Sequence, residues 1–393
     1  MKDEKKQQRR KLLIATDNYA PRWDGIARFL EEVIPRLKET YQVKVIAPAF
    51  RGSVDRRESG VDVIRIPVHH FLFGDFQPAK FKYWKLRRHI KDADIVFTQT
   101  IGPVGGLALY IAHKLGKKTA AFIHSIEWEL VPKALKSATL KRWSYPLMKK
   151  LTRYLYSKCD IVFVPSQNIS DYLSWELSTV QKKVIHLGCD VEKFKPGKRE
   201  EIKKALGISK NTIVIGYHGR LSREKDLVTL LRGFLRVQKN HDVVLLVVGD
   251  GVPNIKQMLK RPGVMLVGTK QNVVPYLQAM DIYCLTSLTE TTCLSVLEAM
   301  SCELPVISTP VGFVKDYIKD GKNGLLSPLQ DAYALAKKID YLIQHPEVRE
   351  ELGKNARMTV AKKFNWDNTV KEIVEGIEET EAGKEEDIGE KPG

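Results

Sequence analysis

Residues 281–308 read DIYCLTSLTETTCLSVLEAMSCELPVIS. The segment opens on a short apolar run at 282–285 and closes on another at 304–308. Between them lie a polar loop and a helical pattern, LSVLEAM. Runs that are apolar on both faces suit parallel strands covered by helices on each side, so the segment reads as one strand–helix–strand unit. The same alternation extends outward. Strands are expected at 12–16, 43–47, 61–66, 95–98, 119–124, 161–165 and 184–187, then at 213–217, 243–248, 264–267, 282–285 and 304–308. Helix-length amphipathic segments separate them, which predicts doubly wound α/β structure. At 393 residues the chain exceeds one ordinary core, so two domains are expected. The polar stretch 188–211 reads as the linker. A small echo punctuates the strands: Asp-Ile followed by apolar residues recurs at Asp94-Ile95, Asp160-Ile161 and Asp281-Ile282. We read each Asp as ending a helix-to-strand turn. The same reading is preferred to a metal-binding D-x-D at Asp92-Ala93-Asp94, which precedes a strand rather than following one.

Charge divides the chain unevenly. Residues 1–190 carry 34 Lys+Arg against 19 Asp+Glu, a surplus of 15, whereas residues 191–393 carry 30 against 28. An anionic partner for the first half follows. The longest apolar candidate, GPVGGLALYIA at 102–112, is too short to cross a bilayer, and the charged start followed by KLLIAT lacks the pattern of a secretory signal. Five cysteines without C-x-x-C spacing argue against a disulfide framework or zinc site and for a reducing cytoplasm.

Chemistry concentrates where strands end and helices begin, the edge at which open α/β sheets bind ligands. LLIATDNYAPRWDGIARFL leads a strand into a turn with Arg22, Asp24 and Gly25, where close backbone approach and free helix N–H groups would receive an anion. His124 closes the strand AAFIH, and on its own reads first as a satisfied core residue and only second as a functional one. In IGYHGRLSREKDL, Arg220 and Lys225 can reach one diphosphate, one as a bidentate fork and the other as a point charge; the alternative is a solvated basic turn. Glu290 and Glu298 stand eight apart. At ~100° per residue they would lie ~80° apart and border one edge. A carboxylate inside LSVLEAM needs a partner, which a ribose diol would supply. The plainer alternative makes Glu290 a helix-dipole partner and leaves Glu298 on the surface.

Taken in order, these motifs resemble a known family. SLTETTCLSVLEAMSCELPVISTPVGFVKDYIKDGKNGLL resembles the E-x7-E signature of retaining family-four glycosyltransferases, also called glycosyl transferases group 1. GRLSREKDL is similar to their diphosphate-binding segment, and VVGDGVPNIKQ, HLGCDVEKFKP, the late FNW at 364–366 and the loop at Gly25 follow the same pattern. The resemblance implies GT-B architecture, two Rossmann-like domains facing each other across a cleft. It implies an acceptor-binding domain over 1–188, a nucleotide-sugar domain over 189–360, a crossover helix over 361–379 returning to the first domain, and a disordered tail over 380–393. Glu298 would hold the ribose, Arg220 and Lys225 the diphosphate, and Glu290 the donor sugar. Backbone N–H groups of Cys293 and Leu294 would approach the phosphates or sugar. His124 and Gly25 would border the reaction centre, with Asp24 and Arg22 on the acceptor side. Thr291-Thr292-Cys293 replaces the usual Gly-Phe-Gly, and Asp24-Gly25 replaces paired glycines.

No metal-ligand spacing is visible, so metal-independent hexosyl transfer from a UDP- or GDP-sugar is expected, with no cofactor beyond the donor. Two basic-aromatic stretches, 78–91 and 132–158, suit an anionic membrane surface, and with it a lipid or lipid-linked acceptor and peripheral attachment inside the cell membrane. The alternative packs their apolar residues into the domain core. A soluble sugar or sugar-phosphate acceptor is the competing enzyme reading. A nucleic-acid-binding protein and a silent scaffold are the remote ones, the former lacking any recognised module and the latter opposed by intact Arg220, Lys225, Glu290 and Glu298.

Overall fold

The computed structural model describes residues 9–22, 24–53, 60–71, 77–124, 126–129, 138–290 and 292–389. Thr291 and the 132–137 part of the second basic-aromatic stretch lie outside the described residues. The chain divides into two compact units, one formed by Met1–His186 with Thr369–Gly393 and the other by Leu187–Asn368.

In the first unit seven parallel strands, β1 (Lys11–Ala15), β2 (Gln42–Ala49), β3 (Asp62–Pro67), β4 (Ile95–Thr98), β5 (Lys118–Phe122), β6 (Ile161–Val164) and β7 (Gln181–Val184), lie in the order β3-β2-β1-β4-β5-β6-β7. In the second, β8 (Ile213–His218), β9 (Val243–Val248), β10 (Val264–Gly268), β11 (Ile282–Leu285), β12 (Val306–Ser308) and β13 (Leu325–Leu326) lie in the order β10-β9-β8-β11-β12-β13. Every residue of β4, β6 and β11 is buried, as expected of strands covered on both faces. Strand order reverses at β1/β4 and again at β8/β11. The connections from those strand ends diverge and leave the opening that ligands of doubly wound sheets occupy.

The Asp echo has a physical basis in this topology. Asp94, Asp160 and Asp281 stand before β4, β6 and β11, and each accepts a backbone N–H from the start of the neighbouring strand: Lys11 (2.8 Å), Thr119 (2.8 Å) and Val214 (2.8 Å). Asp92 instead pairs with Lys11 at 2.8 Å and Lys44 at 3.4 Å. The turn reading of Asp92-Ala93-Asp94 therefore holds.

Three details differ from expectation. The seventh strand is Gln181–Val184, not 184–187, because it is the partly exposed edge and carries Lys182 and Lys183 where an inner strand would be apolar. β12 begins only after Pro305, which has no N–H to give a ladder. The two-residue edge strand β13 was not anticipated. Within the expected linker, the helix Arg199–Ala205 buries Lys203, whose ammonium reaches Asp281 Oδ2 at 2.6 Å and the Thr212 carbonyl at 2.9 Å.

The last helix, Trp366–Gly389, extends beyond residue 380, where the sequence reading starts a disordered tail. Its Glu378 accepts from Arg10 (2.9 Å) and from the Tyr41 hydroxyl (2.5 Å), and Thr369 donates to the His186 carbonyl (2.9 Å), so the C-terminal chain is fastened to the first unit.

Candidate active site

In the second unit the loops leaving β8 and β9 run backbone against backbone. Gly219 and Gly249 both hold φ near +140°, and a Cβ on Gly249 would meet the Gly219 carbonyl oxygen at 1.9 Å. Only glycine permits that approach. Leu221 then donates to the Asp250 carbonyl at 2.9 Å, which fixes Arg220 just past the strand end. A tight turn at Arg223–Lys225 follows, and Asp226, at φ 45°, caps the helix Leu227–Val237 through Thr229. The Thr286 hydroxyl spans the Lys225 and Asp226 carbonyls at 3.0 and 2.9 Å, and Leu288 N–H donates to the Glu224 carbonyl at 2.8 Å. These bonds stitch the β8 loop to the β11 loop at the switch point.

This brings Lys225 and Glu290 together. The Lys225 ammonium lies 2.5 Å from Glu290 Oε1, which also accepts from the Ser287 hydroxyl at 2.6 Å; the Ser287 carbonyl is itself held by Thr309. The side chains of Lys225 and Glu290 are only 18% and 9% exposed, so the pair is poorly screened. Arg220 is the more open cation. Its guanidinium meets Glu224 Oε1 at 2.7 Å, an oxygen that also accepts from Ser222 at 2.5 Å. Burial raises the Glu224 pKa, but the Ser222 hydroxyl, the residue's own N–H and Arg220 together outweigh it and leave the carboxyl below its usual range.

Glu298 is buried, not on the surface, and its Oε2 lies 2.6 Å from His218 Nε2 at the end of β8. It is the fifth residue of the helix Leu294–Ser301. Glu290 precedes that helix in a loop, so the helical angle estimated between the two glutamates does not apply. What joins them is the strand edge: β8 brings His218 and the Arg220–Lys225 turn to the β11 loop. Cys293 stands at the N-cap position of that helix, and its buried thiol is pushed up to about 12 by burial. The hydroxyl of Tyr217, which donates to the Arg220 carbonyl at 2.8 Å, is also raised, by burial and by the nearby charge of Glu290.

In the first unit, Asp17 is buried beyond β1. It accepts from Thr100 Oγ1 (2.8 Å), Val104 N (2.8 Å), Gly105 N (3.0 Å) and Gly102 N (3.1 Å), which secures the start of the helix Gly105–Lys114. The helix Gly25–Thr40 does not offer all its first N–H groups to an anion. Asp24 Oδ1 takes those of Ile26 and Ala27, both at 3.0 Å, while its other oxygen pairs with Arg22 Nε at 3.1 Å. Gly25 itself faces open space, with no atom within 4 Å of where a Cβ would stand. His124 stacks on Phe122 and meets Gln99 Oε1 at 2.9 Å; burial holds it at about 3, and the ring is neutral.

Three residues after His124, the Glu127 carboxyl is buried against the Tyr156 hydroxyl at 2.6 Å and is pushed up to about 7, chiefly by burial. Its ordinary value is 4.5, so the folded chain holds this proton more tightly than the unfolded one. The stability it contributes is full below 4.5 and is lost as pH rises through 7. Thermal melts of wild type should therefore fall between those values relative to Glu127→Gln; parallel curves would refute the assignment.

Sequence reasoning missed His218, Glu224, Ser287 and Glu127. A polar residue closing an apolar strand, as in IGYHG, was the available signal for His218; the others sit beside selected residues but show no spacing of their own. Among the described residues, no group of three or more His, Cys, Asp or Glu could hold a metal ion.

Two Rossmann-like parallel sheets, each with a switch point at the reversal of strand order, define a two-domain α/β protein of GT-B fold. The family model for Glycosyl transferases group 1 matches residues 198–359, and that for Glycosyltransferase Family 4 matches 23–193. The chain belongs to this family of glycosyltransferases. It is 28% identical to an alpha-monoglucosyldiacylglycerol synthase of Streptococcus pneumoniae, over 85% of this chain and 79% of that one. It is 25% identical to a GDP-mannose-dependent alpha-mannosyltransferase of Mycobacterium tuberculosis, over 89% and 92%. Among solved structures, Anabaena HepE in complex with UDP matches the fold with TM-score 0.75 at 18% identity, over 94% of this chain and all of that one.

Proposed function

We propose that the protein transfers a hexosyl group, with retention and without a metal ion, from a UDP- or GDP-sugar to a hydroxyl of a membrane lipid or lipid-linked intermediate. The observation that carries this reading is the Lys225–Glu290 pair beside Arg220 at the β8/β11 switch point. In the transfer, the bond from the anomeric carbon to the diphosphate breaks and the diphosphate leaves with the electron pair. Arg220 and Lys225 neutralise the departing charge, the role a metal plays elsewhere. Glu290 holds the donor sugar and Glu298 the ribose. The N–H groups of Cys293 and Leu294, at the start of a helix, face the phosphates or sugar. Gly25, whose surroundings are open, serves the donor and with the catalytic His124 borders the reaction centre, while Asp24 and Arg22 serve the acceptor side. The acceptor oxygen bonds to the anomeric carbon, and its proton passes to the leaving phosphate. His124, being neutral, can polarise or orient a hydroxyl without adding charge.

Support for the donor range comes from the relative named for GDP-mannose and the UDP-bound structural neighbour, and support for a lipid acceptor from the relative named for a glucosyldiacylglycerol. Peripheral attachment belongs to this acceptor reading, and no helix among the described residues is long and apolar enough to cross a membrane.

Nucleoside diphosphate release across a panel of UDP- and GDP-sugars, with and without lipid extract and beside Glu290→Ala, tests the reading. Release from one donor that lipid stimulates and the variant lacks is expected. Release indifferent to lipid would shift the acceptor to a soluble sugar or sugar phosphate. Turnover should survive exhaustive chelation. Loss in chelator with recovery on adding a divalent ion would overturn the metal-independent mechanism.

A further inference from the structure

The helix Ala138–Tyr156 has two unlike faces. Thr152, Leu155 and Tyr156 are buried, and Met148 packs against the same core cluster. On the other side Trp143 (73% exposed), Leu147 (67%), Leu151 (45%) and Tyr154 (49%) face solvent. At ~100° per residue these four fall within roughly 80° of one another around the axis, a single outward stripe. Lys150 borders the stripe, roughly 20° beyond Trp143, and Arg153 and Arg142 lie roughly 80–100° beyond that same edge, all three exposed. These four apolar side chains are therefore not there to fill the core, unlike Leu155 and Tyr156 on the buried side.

Neighbouring elements widen the patch. The helices Tyr83–Lys91 and Ala138–Tyr156 both pack on Gly105–Lys114, so the three form one layer. Lys114, in the middle helix, sits 4.7 Å over the Tyr110 ring and within electrostatic reach of Tyr83 and Tyr154 from the helices on either side. Trp84, on the first of them, is 76% exposed. Glu176 pairs with Lys149 at 2.6 Å and Arg153 at 3.2 Å, which places the neighbouring Trp175, 89% exposed, close to the same helix. All three of these tryptophans belong to the first unit, the half of the chain with the charge surplus.

We propose that this helix layer is a docking face for an anionic lipid bilayer, with Trp143, Leu147, Leu151 and Tyr154 entering the interface and Arg142, Lys150 and Lys114 meeting the headgroups. Charge selects the occupant. A ridge of aromatic and leucine side chains bordered by cations matches a surface that is negative outside and apolar just beneath. A protein–protein interface of the same area would be depleted of lysine at its centre. Lysine stems also cover apolar area while their ammonium groups stay at headgroup level. The proposal rests on the reading that the acceptor is a membrane lipid, and names the face that brings the first unit to it.

Co-sedimentation with vesicles of phosphatidylglycerol and phosphatidylcholine, against phosphatidylcholine alone, tests it at low and high salt. Wild type should be retained by the anionic vesicles only and released as salt rises. The double variant Trp143→Ser, Leu147→Ser should lose roughly tenfold or more of its partitioning to the anionic vesicles. Arg142→Gln with Lys150→Gln should lose roughly thirtyfold, and lose its salt dependence in part. An exposed pair in the second unit, Leu235→Ser with Met358→Ser, should partition as wild type. Retention of both first-unit variants at wild-type level would overturn the proposal. So would concentration-dependent dimerisation abolished by the Trp143 and Leu147 changes without vesicle binding, which would make a second copy the occupant. All variants remove exposed side chains, and donor-nucleotide binding by calorimetry checks that each is folded. The same proteins are read for nucleoside diphosphate release on a detergent-dispersed acceptor. Release preserved with vesicle binding lost supports the docking face, whereas vesicle binding preserved with no release from any donor would refute the transferase reading alone.

Discussion

Lys225→Ala is expected to lower kcat/KM for the sugar nucleotide by roughly 10³, at the upper end of what removing one preorganised charge-stabilising group costs. Two effects add. The leaving diphosphate loses a cation held in a partly buried site, where charge is poorly screened. In addition, Glu290 loses its cationic partner and keeps only the Ser287 hydroxyl, so a 9% exposed carboxylate is left facing the position where more negative charge must develop. Lys225→Arg should recover part of the loss in donor affinity but less in kcat, because a planar fork cannot reproduce the 2.5 Å contact of a compact ammonium with Glu290. Arg220→Ala should be milder, since its guanidinium is 73% exposed and solvent already screens it. Steady-state kinetics on purified variants decide the matter: a loss below tenfold in Lys225→Ala would remove this lysine from the mechanism.

The second large effect concerns stability rather than chemistry. Asp281→Ala should destabilise the second unit by about 3–5 kcal/mol, the usual result of breaking one side of a buried ion pair. Asp281 Oδ2 takes Lys203 Nζ at 2.6 Å and Val214 N at 2.8 Å, and its Oδ1 lies 3.5 Å from Arg199. The lysine and aspartate side chains are 3% and 6% exposed, so truncation strands an ammonium with only the Thr212 carbonyl for company. For a unit of this size the melting temperature should fall by roughly 10 °C. Lys203→Met together with Asp281→Ala should be less damaging than Asp281→Ala alone, since the stranded charge is then gone. Calorimetry of the two proteins settles it, and equal melting temperatures for both would refute the stranded-charge account. Asp281 is remote from Lys225 in this network, so activity per folded molecule should be retained below the transition.

Much of the fold was legible because its signal is local. Runs such as VVLLVV are apolar on both faces wherever they occur, and helices must alternate with parallel strands for the crossovers to close. The failures have equally local causes. Gln181–Val184 is an edge strand and therefore looks polar, and β13 has too few residues to show any periodicity. The site divides along the same line. Arg220, Lys225, Glu290 and Glu298 were selectable from residue type and position after strands, but their partners were not. Glu298 meets His218 from 80 residues away, and Lys225 meets Glu290 from 65. Asp24 was read beside an anion-receiving helix start, whereas its own carboxylate occupies part of that start.

The sequence by itself determined the α/β class, the placing of cations and carboxylates after strands β8 and β11, and the basic first half, because each depends on residue type and short spacing alone. Tertiary structure decided which charges pair, that Glu298 lies buried on an imidazole, and that Trp143, Leu147, Leu151 and Tyr154 face outward. Those outcomes depend on which strand ends the sheet order brings together and which helix face the core covers, and neither is encoded within one turn of helix or one strand.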